Sequence, residues 1–244
     1  MKLNLLSYKE LQKLGENMYI NKNSYNTKKE LIEIIEQCFN MYEKYKEDNI
    51  DKYEIKEQLG NKGKEGITYL VVDKENGKEY AMKCFNSRKS IKNIEREGLL
   101  QKKASEKGIS PKIININLVG NNIIMEKMDR HLYDVMNESN GNISEKYQEQ
   151  ILYIFNKLDE CKVFHGDSNI LNYMIKNDKV YIIDFGMSKE IDENFKKKIK
   201  EDKPNFTLMN LGLIIKLKEL KCPDTSYSYL IKYVSNEKKI KYGL

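Results

Sequence analysis

The stretch that most constrains this chain is residues 164–175, FHGDSNILNYMI, which places Asp167, Asn169 and Asn172 in a short loop between apolar runs. Upstream, Ile151, Leu152, Phe155 and Leu158 mark one face of a helical pattern. Downstream, an apolar run over 180–183 ends in Asp184-Phe185-Gly186. A carboxylate and two amides between buried elements are either ordinary turn residues or groups set aside for a ligand. Asn172 and Asp184 offer hard oxygen donors of the kind that suit Mg²⁺. Asp167 could orient a hydroxyl and accept its proton.

At 244 residues the chain is long enough for one large domain, or a domain with a small appendage. Its 40% hydrophobic content supports a core. The net charge of +6 arises after residue 48, because residues 1–48 hold eight lysines against eight acidic residues. The densest basic patch, FKKKIK at 195–200, reads as a solvated loop or as a surface for acidic substrates or nucleic acid. Cys38, Cys84, Cys161 and Cys222 are widely spaced, which argues against a zinc site or disulfide framework and fits a reducing compartment. No apolar run approaches the roughly 20 residues of a membrane span, and the N-terminus lacks a signal peptide's apolar core. The expectation is an intracellular protein, cytoplasmic or nuclear, with no membrane partner.

The first segment predicts two helices, each opened by a capping-box pattern: Ser7 with Glu10, and Thr27 with Glu30. Leu11 and Leu14 face inward on the first. Leu31, Ile34, Ile35 and Cys38 do so on the second, which could run on through Tyr42 and Tyr45. A polar break at 46–52 separates a helical appendage, 1–48, from the rest, 49–244. Strands are expected at 53–59, 67–72 and 79–85, the last two joined by the Asn76-Gly77 hairpin signal. A helix over 90–107, strands at 113–118 and 122–126, and then helices follow. Strands early and helices late predict an α+β fold in two lobes, about 49–128 and 129–244, with one buried helix over 206–220 and a final short one.

Gly60, Gly63 and Gly66 recur between two strands, as a plain hairpin loop or a backbone able to approach phosphate would require. Lys83 lies in an apolar strand, where it either points to solvent from an edge or needs a partner. Glu97 shares a helical stripe with Ile94 and Ala104, so it faces the protein and can hold Lys83, whereas Glu95 points away.

Taken in order, residues 53 to 186 resemble a protein kinase. Gly60, Gly63 and Gly66 match its phosphate-covering loop, and Ala81 and Lys83 its VAIK strand. Glu97 matches the Glu of the following helix, Asp167 and Asn172 the HxDxxxxN loop, and Asp184 the DFG aspartate. IIMEKM is similar to the strand and hinge that receive adenine, with Met125 as gatekeeper and Glu126 to Met128 offering backbone groups. The resemblance implies an ATP- and Mg²⁺-dependent kinase acting on a Ser/Thr hydroxyl of a protein substrate. Lys83, fixed by Glu97, would pair the ATP phosphates, Asn172 and Asp184 would hold Mg²⁺, and Asp167 would position the acceptor.

The chain departs from the family pattern in several places. The glycine loop is one residue longer than G-x-G-x-x-G, and Thr68 stands where a Val usually covers adenine. Gly166 replaces the Arg of HRD, which implies activity without activation-loop phosphorylation, and Asn169 replaces the Lys of Ser/Thr kinases. No APE motif follows. HGD with a short C-terminal lobe resembles small atypical kinases of the Bud32/RIO type, while the glycine loop and YAMK resemble kinases of large DNA viruses, whose setting would be a host cell or virion. In the Bud32-like pattern an Asp near the start of the late helix braces the catalytic loop, and Asn205 at that place leaves the brace in doubt. Residues 1–48 resemble a SAP-type helical hairpin and stand open between weak DNA docking and a protein-docking or structural appendage. Two other functions remain open: a small-molecule phosphotransferase of the aminoglycoside or choline kinase type, and a catalytically silent kinase-fold scaffold.

Overall fold

A computed structural model describes residues 3–18, 20, 25–50, 52–61, 63–86 and 88–244, with backbone alone for residues 17 and 40–50. By its contacts the chain divides into two units, residues 1–54 with 73–76, and residues 55–72 with 77–244. In the first unit, Ser7 heads α1 (Tyr8–Asn17), its Oγ accepting the Glu10 N–H at 3.3 Å while the Glu10 carboxylate accepts the Ser7 N–H at 2.7 Å. Thr27 and Glu30 make the same exchange at the head of α2 (Lys28–Ile50), at 3.2 and 3.3 Å. Each pair satisfies backbone donors that a helix start leaves open. Leu11, Leu31 and Ile35 are fully buried with Leu3, Tyr25 and Ile32, and Leu14 and Ile34 pack against them. The polar stretch expected as a break is helical as far as Ile50. The side chains of Tyr42 and Tyr45 lie outside the described residues.

The period-two segments form one sheet, whose residues fall mostly in the second unit. Its strands are β1 (Tyr53–Leu59), β2 (Gly66–Asp73), β3 (Glu79–Phe85), β4 (Ile113–Asn117) and β5 (Asn122–Glu126), in the order β1-β2-β3-β5-β4. The pairings of β3 with β2 and β5, and of β4 with β5, are antiparallel. Helix α3 (Ile91–Glu106) is inserted after β3. It starts at Ser90, whose side chain accepts the Asn93 N–H, and it buries Ile94, Glu97, Leu100, Gln101 and Ala104 on one face.

The remainder is mostly helical: β6 (Arg130–His131), α4 (Leu132–Glu138), α5 (Glu145–Glu160), β7 (Val163–Phe164), β8 (Tyr173–Lys176), β9 (Lys179–Ile182), β10 (Lys189–Glu190), α6 (Glu193–Ile199), α7 (Asn210–Glu219) and α8 (Asn236–Tyr242). Ile151, Leu152, Phe155 and Leu158 of α5 lie in its core, as their spacing predicts. The mixture of sheet and helices is the expected kinase-like α+β fold. Gln148 on α5 is fully buried and uses both ends of its amide. Nε2 donates to the Ile143 and Thr225 carbonyls, each at 2.7 Å, and Oε1 accepts the Tyr229 N–H at 2.9 Å.

Two segments differ from expectation. The FKKKIK patch is helical rather than a loop. Asp192 accepts the Phe195 N–H at 2.6 Å, Phe195 packs its ring 5.1 Å from that of Phe164, and Lys200 ends α6 with φ +58°. The late helix opens with a wide π turn, Asn205–Met209, before α7 begins. Such turns are rare and occur mostly as single turns within helices, frequently near functional sites.

Gly66 pairs with Phe85 at the end of the β2–β3 ladder, and a Cβ there would fall 2.0 Å from the Cys84 carbonyl oxygen. Backbone cannot yield as a side-chain tip can, so Gly66→Ala is expected to lower unfolding stability by about 1–3 kcal/mol. A denaturant midpoint equal to that of the unaltered chain would contradict this packing.

Candidate active site

Strand alternation puts Ala81, Lys83 and Phe85 on one face of β3, and that face meets α3. Lys83 Nζ lies 2.7 Å from Glu97 Oε1 and 2.9 Å from Asp184 Oδ1. Burial works against its ammonium, and the charges of Glu97 and Asp184 overcome that and hold the Lys83 pKa above its ordinary value. Burial likewise favours the neutral carboxyl of Asp184. The Lys83 charge and hydrogen bond, helped by the Gly186 N–H, win and hold it below the usual carboxylate range. Glu97 is 1% exposed and carries a second cation, since Lys89 pairs with its Oε2. Lys89 also pairs with Glu65 of the glycine loop, and both lysine heads lie over the Phe85 ring, at 5.2 Å for Lys83 and 4.6 Å for Lys89. The carboxylate oxygens of Glu65, Glu97 and Asp184 come within 4.8 Å of one another, an arrangement tolerable because two lysines sit among them.

The 164–172 loop lies against Asp184. His165 is fully buried, with Nε2 3.0 Å from the Ile183 carbonyl and Nδ1 3.2 Å from that of Asp167. Burial pushes its pKa below the ordinary imidazole value, against the pull of those carbonyls and of Asp184 and Asp167. Its ring stands edge-on to Phe185 at 4.9 Å. Asp167 Oδ1 accepts the Asn169 N–H at 3.1 Å, and Asn169 in turn accepts the Leu171 N–H at 3.1 Å. Asn169 therefore caps a single 3-10 turn, Ile170–Asn172. Asn172 directs Nδ2 to the Asp167 carbonyl at 3.4 Å, which leaves Oδ1 as its donor for a cation. Asp184 has φ +65° and ψ 75°, a strained conformation of the kind found where geometry serves function. Gly166 has φ +83°, and a Cβ there would meet the Met187 carbonyl at 3.1 Å, so the residue replacing the HRD arginine is one the backbone requires.

On the adjoining sheet, Thr68 lies opposite Lys83 across β2 and β3, and Ala81 lies opposite Met125 across β3 and β5. Met125 is buried and its sulfur receives Gln101 Nε2 at 3.4 Å. The Glu126 N–H is used within the sheet, on the Lys112 carbonyl at 2.9 Å, and its carboxylate pairs with Lys176 at 2.7 Å. Met128 is buried just beyond. In the glycine loop a Cβ on Gly60 would meet nothing within 4 Å, and the Gly63 N–H donates to the Gly66 carbonyl at 2.9 Å. Lys83, Glu97, Asp167, Asn172 and Asp184 thus belong to one connected set of contacts, with Thr68, Ala81 and Met125 on the adjoining sheet.

Asn205 corrects an expectation. Its Oδ1 accepts the His165 N–H at 3.0 Å, so the loop is braced from this position after all. Its Nδ2 donates to Val163 O at 2.8 Å and to Asp159 Oδ1 at 2.7 Å. Asp159 also accepts the N–H groups of Asn205 and Phe206, at 3.0 and 2.9 Å, so the carboxylate has moved one residue outward in the network. Burial raises the Asp159 pKa despite these donors. Lys89, Glu65 and Asp159 were not found by spacing. Their partners are brought to them by chain reversals, which leave no periodic mark.

Asn205→Asp would set two carboxylates together and leave Val163 O without its donor. The cost is expected to be on the order of 3 kcal/mol, although Asp is the residue of the Bud32-like pattern. Adding Asp159→Asn should recover part of it in denaturant unfolding. An Asn205→Asp variant as stable as the parent would overturn this account.

Residues 53–207 match the family model described as the protein kinase domain. A probable bifunctional tRNA threonylcarbamoyladenosine biosynthesis protein of Methanosphaera stadtmanae is 27% identical over 249 residues, covering 98% of this chain and 43% of that protein. A probable serine/threonine-protein kinase of Dictyostelium discoideum is 27% identical over 173 residues, covering 64% of this chain and 25% of that protein. The chain thus spans less than half the length of each of these curated relatives. The family match takes in the sheet, the Lys83–Glu97 pair and the loop as far as the Asn205 brace, and the chain belongs to the protein kinase domain family.

Proposed function

We propose that the chain transfers the terminal phosphoryl group of ATP to a Ser/Thr hydroxyl of a protein. The observation that carries this is the buried Lys83 held between Glu97 and Asp184, beside the loop that presents Asp167 and Asn172. Lys83, fixed in place and charged, is suited to pair phosphate oxygens. Asp167, its carboxylate oriented by the Asn169 N–H, is suited to position the acceptor hydroxyl and take its proton. The donor set fits Mg²⁺: Asn172 offers a neutral amide oxygen, and Asp184 keeps Oδ2 beyond the oxygen that Lys83 engages. When bound there, the ion would neutralise charge on the phosphates. Catalysis by such a site is mainly positioning and electrostatics, which a rigid, pre-paired lysine serves.

The protein acceptor is supported by the family, and the Ser/Thr preference by similarity to the Dictyostelium protein. Gly166 leaves no cation at the HRD position, which supports activity without activation-loop phosphorylation. For residues 1–48 the favoured reading is a docking or structural appendage, since equal numbers of lysine and acidic residues are a weak basis for phosphate binding. Among the described residues no helix is long and apolar enough to cross a membrane.

With labelled ATP and Mg²⁺, label should reach protein acceptors and survive phosphatase pretreatment of the chain. Lys83→Met and Asp184→Asn should abolish transfer, and Asp167→Asn should slow it by about 10²–10⁴-fold. Label confined to small acceptors, or nucleotide binding without turnover, would sink the proposal. Deleting residues 1–48 should leave any affinity for duplex DNA unchanged, and a loss on deletion would instead assign DNA docking to that segment.

A further inference from the structure

The chain carries three arginines, Arg88, Arg96 and Arg130, against 40 lysines. Arg130 pairs with Glu138 at 2.6 Å. The other two line a single cleft of about 340 Å³, together with Lys64, Glu65, Lys89 and Gly186. Lys89 is committed to Glu65 and Glu97. Lys64, Arg88 and Arg96 are exposed and have no ion pair among the described residues. The lining therefore presents four cations and one carboxylate, a strong local field for an anion. Arginine differs from lysine in offering a planar fork that grips phosphate oxygens two at a time. A sequence that otherwise uses lysine almost throughout places two of its three forks here.

The cleft borders Lys64 of the glycine loop and Gly186, two residues beyond Asp184. In the phosphoryl transfer proposed above, on which this inference rests, Lys83 takes the phosphates of the nucleotide. The second set of cations is then left for a group on the other reactant. We propose that the cleft takes a phosphate monoester carried by the protein acceptor, so that the preferred acceptors are proteins already phosphorylated near the target hydroxyl. Arg88 and Arg96 grip the monoester, and Lys64 adds charge from the loop above it.

The test uses the full chain, phosphatase-treated and saturated with Mg²⁺ and a non-hydrolysable ATP analogue. Binding of an alanine-flanked phosphoserine peptide is compared with that of its serine counterpart by fluorescence anisotropy. The phosphopeptide is expected to bind at least ~10-fold more tightly, with that advantage lost in Arg88→Ala/Arg96→Ala and partly kept in Arg96→Lys. Nucleotide affinity should be unchanged in these variants, which shows that they fold. Equal binding of the two peptides or an unaffected double variant would each overturn the proposal. Because the readout is binding, an inactive chain could still pass it and an active one could fail it.

Discussion

The buried carboxylate of Glu97 is the constraint to which the site answers. A charge that is 1% exposed is tolerable only if its partners are fixed, and Glu97 has a lysine on each oxygen. Lys83 comes from the middle of β3, and Lys89 from the turn just ahead of α3. The two hold strand and helix in one register, over the Phe85 ring. Ile116 of β4 packs directly on Gly98, next to Glu97, so the helix lies close enough to the sheet for the pair to close. From Lys83 the ionic chain continues to Asp184, and through Lys89 to Glu65. Glycine loop, helix and the turn after Ile183 are thereby tied to one charge cluster.

Much of this was legible because it is local or periodic. Both capping boxes depend on residues three apart. The strands alternate, and the apolar stripe of α3 by itself distinguishes the inward Glu97 from Glu95. The Asn76-Gly77 signal likewise marks the β2–β3 hairpin through short-range backbone preferences.

What escaped has a common physical origin. Lys89 and Glu65 meet at the open end of the β2–β3 hairpin, 24 residues apart, where side-chain pairing follows from register rather than from spacing, and Asp159 reaches Asn205 across 46 residues. The run of lysines in FKKKIK hid a helix whose start is set by Asp192 and whose docking is set by Phe195. The π turn at 205–209 leaves no mark in propensity, and the bonds tying its first residues to Asp159 and His165 reach elsewhere in the chain. Replacing an expected Asp by Asn at 205 looked like a lost support. The support survives because the amide accepts from His165 and donates to an acid that was not on view.

That exchange has a consequence for how the loop meets its surroundings. A carboxylate touching the His165 N–H would gain or lose a proton in direct contact with the segment that carries Asp167. The amide of Asn205 does not titrate, and the acid stands behind it at Asp159. Proton uptake is thereby moved one bond network away from the loop. The backbone at His165 is insulated from acidity in a way that a direct carboxylate brace could not provide.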